Sequence, residues 1–441
     1  MLKTEAAPAP ADPRPDSRAP VEVFLQSVHE SVALIQGGEV ATYIPELGKA
    51  DPTLIGLAIA TTNGKVYTAG DAEVPFTIQS VSKPFMYGLA LEQWGREAVM
   101  QHVGVEPTGA AFNAAVFDED NNRPANPMVN AGAIAVSSMV KGADYLAKRS
   151  SMLALLSRYA GRPLTIDESV FRSERETGER NRAIAALMRQ AAMLEGDTTE
   201  ILDIYFSQCS VLVTCRDLAL MAATLANGGV QPITGERVLP QQYVADVLTV
   251  MHSCGMYNYA GQWSYEVGVP AKSAVSGSII GAVPGQMGIV AFSPPLDKVG
   301  NSVRAMAAFK SIAREVDMHV FRARPRGGDV IRRELSGDTV RSKRRRTKRE
   351  AAILDDKGHR IRIVEAQGRL NFSSAERLLR RVSQITTQAD VIILDLRRVH
   401  SADAAAQTLL LSFVDQARDA KQTLLLAEAN AGDTLQALQA H

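Results

Sequence analysis

Little in this chain points to a metal, a membrane or a disulfide framework. Three cysteines occur in 441 residues, Cys209, Cys215 and Cys254. An odd number without the paired spacing of metal ligands argues against a cysteine metal centre or a disulfide scaffold. Buried free thiols are expected instead, in a reducing compartment. No apolar run approaches the roughly 20 residues that cross a bilayer. The N-terminus also lacks the charged-then-apolar order of an export signal, so a cytoplasmic location is expected. No charge sign dominates, since 48 Lys and Arg stand against 48 Asp and Glu. A net charge of zero gives no global field toward nucleic acid or membrane, and neither is expected as a partner.

The length predicts two or three domains with ample core. Residues 1–20, rich in Pro, Ala and Asp, are expected to be disordered. Apolar residues at helical spacing (Phe24, Leu25, Val28, Val32, Ile35) predict a helix over 21–36, closed by Gly37-Gly38. Leu54–Ala60 and Lys65–Thr68, joined by Asn63-Gly64, read as a hairpin. Tyr43, just upstream in Ala-Thr-Tyr-Ile-Pro, carries no signal of its own beyond packing.

The chemistry starts at Phe76-Thr-Ile-Gln-Ser-Val-Ser-Lys83. On one turn of α or 3₁₀ helix, Ser80 and Lys83 share a face and their side chains can meet. A serine hydroxyl needs a base to become a nucleophile, and a lysine is one only when burial lowers its pKa. Phe76, Ile78, Val81, Phe85 and Met86 supply the apolar surroundings. Pro84 disfavours α geometry before it, so the helix proper is expected to begin near Lys83. Ser-x-x-Lys alone is a weak signal: Ser138 and Lys141 repeat it within an apolar run that reads as structural.

Other polar clusters add context. Residues 123–134 hold Asn126 and Asn130 among Pro124, Pro127 and Gly132, a rigid loop entering a helix. Amides that both donate and accept suit a zwitterionic ligand. Residues 173–184 read as a charged loop opening a helix, with Glu174 and Asn181 able to face a pocket. Small residues around Lys272 let a strand backbone approach a ligand closely.

Taken in order, Gln79-Ser-Val-Ser-Lys83, Asn126-Pro-Met-Val-Asn130, Ser173-Glu-Arg-Glu with Asn181, Cys254-Gly-Met-Tyr257, Pro270-Ala-Lys-Ser273 and Ser293-Pro-Pro-Leu-Asp297 resemble the serine-dependent glutaminases. The likeness spans about residues 21–316. It implies an α/β fold shared with β-lactamases and penicillin-binding proteins, with an antiparallel sheet flanked by helices and a helical subdomain. It further implies hydrolysis of L-glutamine, with Ser80 as nucleophile, Lys83 as base and Tyr257 as proton relay. The backbone N–H groups of Ser80 and Val275 match the oxyanion hole. Tyr43, Gln79, Asn130, Glu174, Asn181, Tyr205, Tyr257 and Val275 match substrate-binding positions. No cofactor or metal is implied, and the family assembles as homodimers or homotetramers. Three departures stand out: Ala274 replaces the glycine of Lys-Ser-Gly, its methyl expected to tighten the pocket, the glycine run that follows is here Ser276-Gly277-Ser278, and Asn258 replaces an aspartate.

The catalytic region is expected to end at 322 and a basic linker to follow over 323–352, including Arg341-Ser-Lys-Arg-Arg-Arg346. Strands and helices then alternate over 353–441, implying a small α/β layer structure. With Asp395-Leu-Arg-Arg-Val399 and Asp403 this tail resembles the STAS domain of sulfate transporters and anti-sigma-factor antagonists. Ala404 occupies the position where many such domains carry a phosphorylatable serine. A protein partner is the expected ligand of the tail. Two other functions stay open: a glutamine-sensing regulatory protein without turnover, and a serine acyl hydrolase acting on β-lactams or peptides.

Overall fold

The computed structural model describes residues 20–109, 117–118, 120–316, 318–321, 330–341, 343–386, 389–420 and 422–427. The disorder expected of residues 1–20 falls outside them except at Pro20, which opens the first helix. Two compact units divide the chain, Met1–Arg322 and Ala323–His441.

The first unit is built on a five-stranded antiparallel sheet. Its strands are β1 (Gly56–Thr61), β2 (Val66–Gly70), β3 (Ala271–Ser273), β4 (Ser278–Val283) and β5 (Met287–Phe292), ordered β2–β1–β5–β4–β3. Alternate residues point to opposite faces, so one strand feeds two cores. Ala58, Ala60, Ile280, Ala282 and Val290 enter one core; Leu57, Ile59, Ile279, Val283 and Ile289 enter the other.

Eleven helices of this unit are described: α1 (Pro20–Ala33), α2 (Lys83–His102), α3 (Asn130–Ser138), α4 (Tyr145–Ala160), α5 (Glu168–Thr177) and α6 (Glu179–Gln190). The rest are α7 (Thr198–Cys209), α8 (Cys215–Ala226), α9 (Gln241–Cys254), α10 (Ala260–Glu266) and α11 (Val303–Glu315). α1 and α11 cover one face of the sheet through Leu25, Val28, Val32, Ala308, Phe309 and Ile312. α8 covers the other with Leu218, Ala219 and Ala222, and Thr214 starts it by a capping box with Asp217. Fully burying one such side chain as Phe309 stabilises by about 1.5–3 kcal/mol.

A helical subdomain packs around a further cluster of Ile134, Phe171, Ile184, Met188 and Phe206, drawn from α3, α5, α6 and α7. Residues 173–184, expected as a charged loop, are helical: they end α5, turn at Gly178 and begin α6. Only Val170, Phe171, Ser173 and Glu174 of α5 face inward. The charged remainder of that helix is a solvated face, which hid its periodicity.

The second unit contains β6 (Ile331–Ser336), α12 (Lys348–Lys357), β7 (Ile361–Leu370), α13 (Phe372–Thr386), β8 (Val391–Ala402), α14 (Ala404–Asp419) and β9 (Thr423–Ala427). The sheet runs β6–β7–β8–β9, with β6 antiparallel to β7 and the remaining pairs parallel. Val364, Leu378, Val382, Ile392, Leu394 and Leu410 form its core. β6 and the start of α12 lie in the stretch expected as a linker. Like-charge repulsion is relieved there by partners: Arg332 and Arg333 both bond Glu365 on β7, and Arg341 pairs with Asp355.

The zero net charge divides unevenly. Residues 323–441 carry 22 Lys and Arg against 15 Asp and Glu, and residues 1–322 carry 26 against 33. The first unit is therefore acidic and the second basic.

Candidate active site

Ser80 lies in a short 3₁₀ turn, Gln79–Ser82, that runs directly into α2. The turn is tied down on both sides. Ile78 N–H bonds the Val211 carbonyl, and Ser82 Oγ donates to the Gln79 carbonyl at 2.7 Å. Gln79 has φ +49°, a left-handed conformation that side chains other than glycine adopt at a cost of about 1–3 kcal/mol. Residues held in this way cluster at functional sites.

Lys83 opens α2 and is 1% exposed. Its Nζ lies 3.0 Å from Ser80 Oγ and 2.7 Å from Asn130 Oδ1. Burial lowers the amine from its usual range to about 8, with small opposing contributions from Cys209 and Glu174. The neutral amine keeps both contacts: one N–H serves Asn130, while the lone pair accepts the Ser80 hydroxyl.

Asn130 is the first residue of α3 and passes its other side-chain group on, Nδ2 donating to Asn181 Oδ1 at 2.9 Å. The loop before it folds tightly over the helix start. Asn126 Oδ1 accepts from Met128 and Val129 N–H, and a Cβ at Gly132 would lie 1.9 Å from the Asn126 carbonyl. Only glycine fits there. The Asn126–Gly132 segment thus fixes the amide that orients Lys83.

On the opposite wall, Glu174 of α5 is 2% exposed. Tyr43 Oη lies 3.0 Å from both Glu174 Oε1 and Gln79 Oε1. Burial raises the Glu174 carboxyl, offset by the Tyr43 and Gln79 hydrogen bonds and the Lys83 charge. Burial also raises the Tyr43 phenol, so its tip is sequestered although half of the residue is exposed. Tyr43, which showed only packing on its own, therefore holds the nucleophile's neighbour and the buried carboxylate together. Tyr205 on α7 is buried close by, its phenol raised by desolvation and by the Cys209 and Glu174 charges.

Tyr257 follows Cys254-Gly-Met at the head of a 3₁₀ turn, Tyr257–Tyr259, with φ +54°. Burial raises its phenol, and the Ser80 hydroxyl offsets part of that. Gly255 explains the motif: a Cβ there would lie 1.8 Å from the Ala271 carbonyl, so glycine lets this turn press against β3. Val275 sits in the turn between β3 and β4, packed against Ile44, Leu47 and Val170. Hydrogen bonds from Ala274 N–H to Ser278 O and from Gly277 N–H to Ala274 O shape that turn.

One group in this region had no role assigned from the sequence. Lys272 on β3 is fully buried, with Nζ 3.8 Å from the Tyr257 ring centroid and 2.6 Å from the Ser273 carbonyl. Burial, then repulsion from Lys83, drives its amine well below the usual range. A lysine in a strand otherwise made of small residues was the available signal. Ser138 and Lys141, by contrast, stay apart from the site: Ser138 Oγ bonds the Ala135 carbonyl, and Lys141 Nζ lies over Trp94. Ala274 is buried in the core that α8 shares with the sheet, and Asn258 is exposed. The three cysteines are free and buried. Among the described residues no cluster of potential metal ligands occurs, and no helix is long and apolar enough to cross a membrane.

A serine on a 3₁₀ turn, a buried lysine 3.0 Å away and an antiparallel sheet flanked by helices define the fold class of the serine β-lactamases and penicillin-binding proteins. Comparison narrows this class. The glutaminase family model matches residues 38–321, and the chain belongs to the glutaminase family. The STAS domain model matches residues 353–437. Glutaminase from Trichormus variabilis is 51% identical over 303 residues, covering 69% of this chain and 91% of its own length. Glutaminase 2 of Bradyrhizobium diazoefficiens is 46% identical over 415 residues and 93% of this chain, which spans 66% of that longer relative. Among solved structures, Mglu superposes with TM-score 0.81 at 35% identity, covering 94% of this chain and 99% of Mglu. Probable glutaminase ybaS covers 68% of this chain and 98% of its own, with TM-score 0.64 and 39% identity.

Proposed function

We propose that this chain hydrolyses L-glutamine to L-glutamate and ammonia through a γ-glutamyl ester on Ser80. The 3.0 Å contact between the Ser80 hydroxyl and a desolvated Lys83 amine carries this assignment. Neutral Lys83 takes the hydroxyl proton as Oγ bonds the side-chain amide carbon. The N–H groups of Ser80 and Val275 hold the resulting oxyanion. Tyr257 relays that proton from Lys83 to the departing nitrogen, which leaves as ammonia and returns Lys83 to its neutral form. Water then attacks the ester, with Lys83 again as base, and glutamate is released.

Substrate choice follows from the far wall. A free amino acid brings an α-ammonium, and Glu174 is a buried carboxylate already oriented by Tyr43 and Gln79. Asn130, Asn181 and Tyr205 supply amide and phenol groups for the α-carboxylate and side-chain amide. A structural neighbour, Mglu, was solved in its glutamate form. Glu174→Gln is expected to raise KM for glutamine roughly a hundredfold, about 2–3 kcal/mol, with a smaller loss in kcat. Steady-state kinetics over a wide glutamine range measure it.

The deciding assay follows ammonia release from glutamine beside hydrolysis of a chromogenic lactam and calorimetric glutamine binding. Turnover of glutamine alone supports the assignment; binding without turnover favours a sensor, and lactam hydrolysis alone a lactamase. The pH profile adds a second expectation. Lys83 acts only when neutral and its amine lies near 8 rather than 10.5. kcat/KM should rise about tenfold per pH unit below 8 and level off above it.

The assembly is taken as a homodimer or homotetramer from the family resemblance, and the location as cytoplasmic from the free cysteines and the N-terminal sequence pattern. Residues 21–322 form the catalytic domain; the STAS-like part at 353–441 acts as a regulatory module with a protein partner, and the basic stretch before it adds β6 to its sheet.

A further inference from the structure

We propose that Lys310, Tyr259 and Glu266 form a brace that positions Tyr257 for proton delivery. The inference rests on the role given to Tyr257 above. Tyr257 at φ +54° is a bulky residue in a disfavoured conformation, which persists only where its surroundings impose it. Its 3₁₀ turn runs without interruption into α10. Two residues on, the Tyr259 hydroxyl donates to Glu266 Oε2 at 2.9 Å and accepts from Lys310 Nζ at 3.1 Å. Lys310 closes the triangle on Glu266 at 2.7 Å, and Gln262 Nε2 donates to Glu266 Oε1 at 3.0 Å.

Lys310 belongs to α11, whose neighbouring Phe309 and Ile312 are fully buried against the sheet. Trp263 of α10 packs on Phe309 with ring centroids 5.2 Å apart. The brace therefore refers the Tyr257 turn to the same sheet that carries Lys272 and Val275. From the other side, Gly255 seats the turn against the Ala271 carbonyl. The hydrogen bonds to Lys310 and Gln262 hold the Glu266 carboxyl down at about 2, so the triangle keeps its charges across the working pH range.

The brace is too exposed to matter chiefly for stability. Side-chain exposure is 31% at Lys310 and 29% at Glu266, and ion pairs of that kind add little to global stability. Its effect should appear in kcat. Lys310→Met is expected to lower kcat for glutamine about tenfold, keep KM within about threefold and shift the thermal midpoint only slightly. Lys310→Arg, which retains the charge, should recover most of the loss. In a Tyr257→Phe background, Lys310→Met should cause no further decrease, because the residue it positions is already disabled. An unchanged kcat in Lys310→Met, or losses that multiply in the double variant, would overturn the brace while leaving the glutaminase assignment intact. Wild-type protein without glutamine turnover would remove both.

Discussion

Ser80→Ala should reduce glutamine turnover at least about a thousandfold without loss of glutamine binding. The change removes one oxygen from a residue only 8% exposed and leaves the Lys83–Asn130 contact of 2.7 Å untouched. Among the described residues, the hydroxyls nearest in the chain and in the site are not free to substitute. Ser82 Oγ is committed to the Gln79 carbonyl, and the Tyr257 phenol is raised by burial, which makes it a reluctant nucleophile. A coupled glutamate assay measures the rate, and calorimetry measures binding to the variant. Turnover within about tenfold of wild type would mean that the ester intermediate is wrong. Water would then attack the amide directly, and Ser80 would be a mere binding group.

Lys83→Met is expected to have a comparable kinetic effect, about a thousandfold, and to change how stability responds to pH. Methionine keeps the length of the side chain but cannot hold a proton. In wild type the folded amine lies near 8, while an unfolded lysine keeps its ordinary 10.5. Between those values the unfolded chain binds more protons, so wild-type stability gains as pH rises. From pH 7 to 10 that gain is about 2–3 kcal/mol for this one residue. Chemical denaturation of both proteins at several pH values should show the wild type gaining relative to the variant by this amount. A constant difference would mean that Lys83 is not desolvated, and the proposed base would be lost with it.

The parts of this site legible in the sequence are those governed by local geometry. Ser80 and Lys83 meet because they are three residues apart on one turn, and α2 starts at Lys83 as Pro84 requires. In the second unit β7, α13, β8, α14 and β9 were readable from alternation, amphipathic spacing and apolar runs, whereas β6 and α12 were not. Nor were long-range pairings. Asn130, 47 residues from Lys83, turned out to orient the base as well as to line the pocket. Glu174 and Asn181 looked like members of a charged turn because most of α5 and α6 faces water. Lys272 and Tyr257 meet only when β3 and the Cys254-Gly-Met-Tyr257 turn close on each other, at Gly255. β6 was missed for a related reason: its arginines are neutralised by Glu365, a residue 32 positions away from Arg333.

The division of charge between the two units has a consequence for handling and assembly. One unit carries 26 basic and 33 acidic residues and the other 22 and 15, so opposite net charges of the two units cancel in the whole chain. Its isoelectric point near 7 describes neither unit. The two units should bind ion exchangers of opposite type, and unlike units of separate molecules should attract at low ionic strength and let go once the Debye length falls below about 10 Å. For such a molecule, dissolved salt is a variable of its architecture.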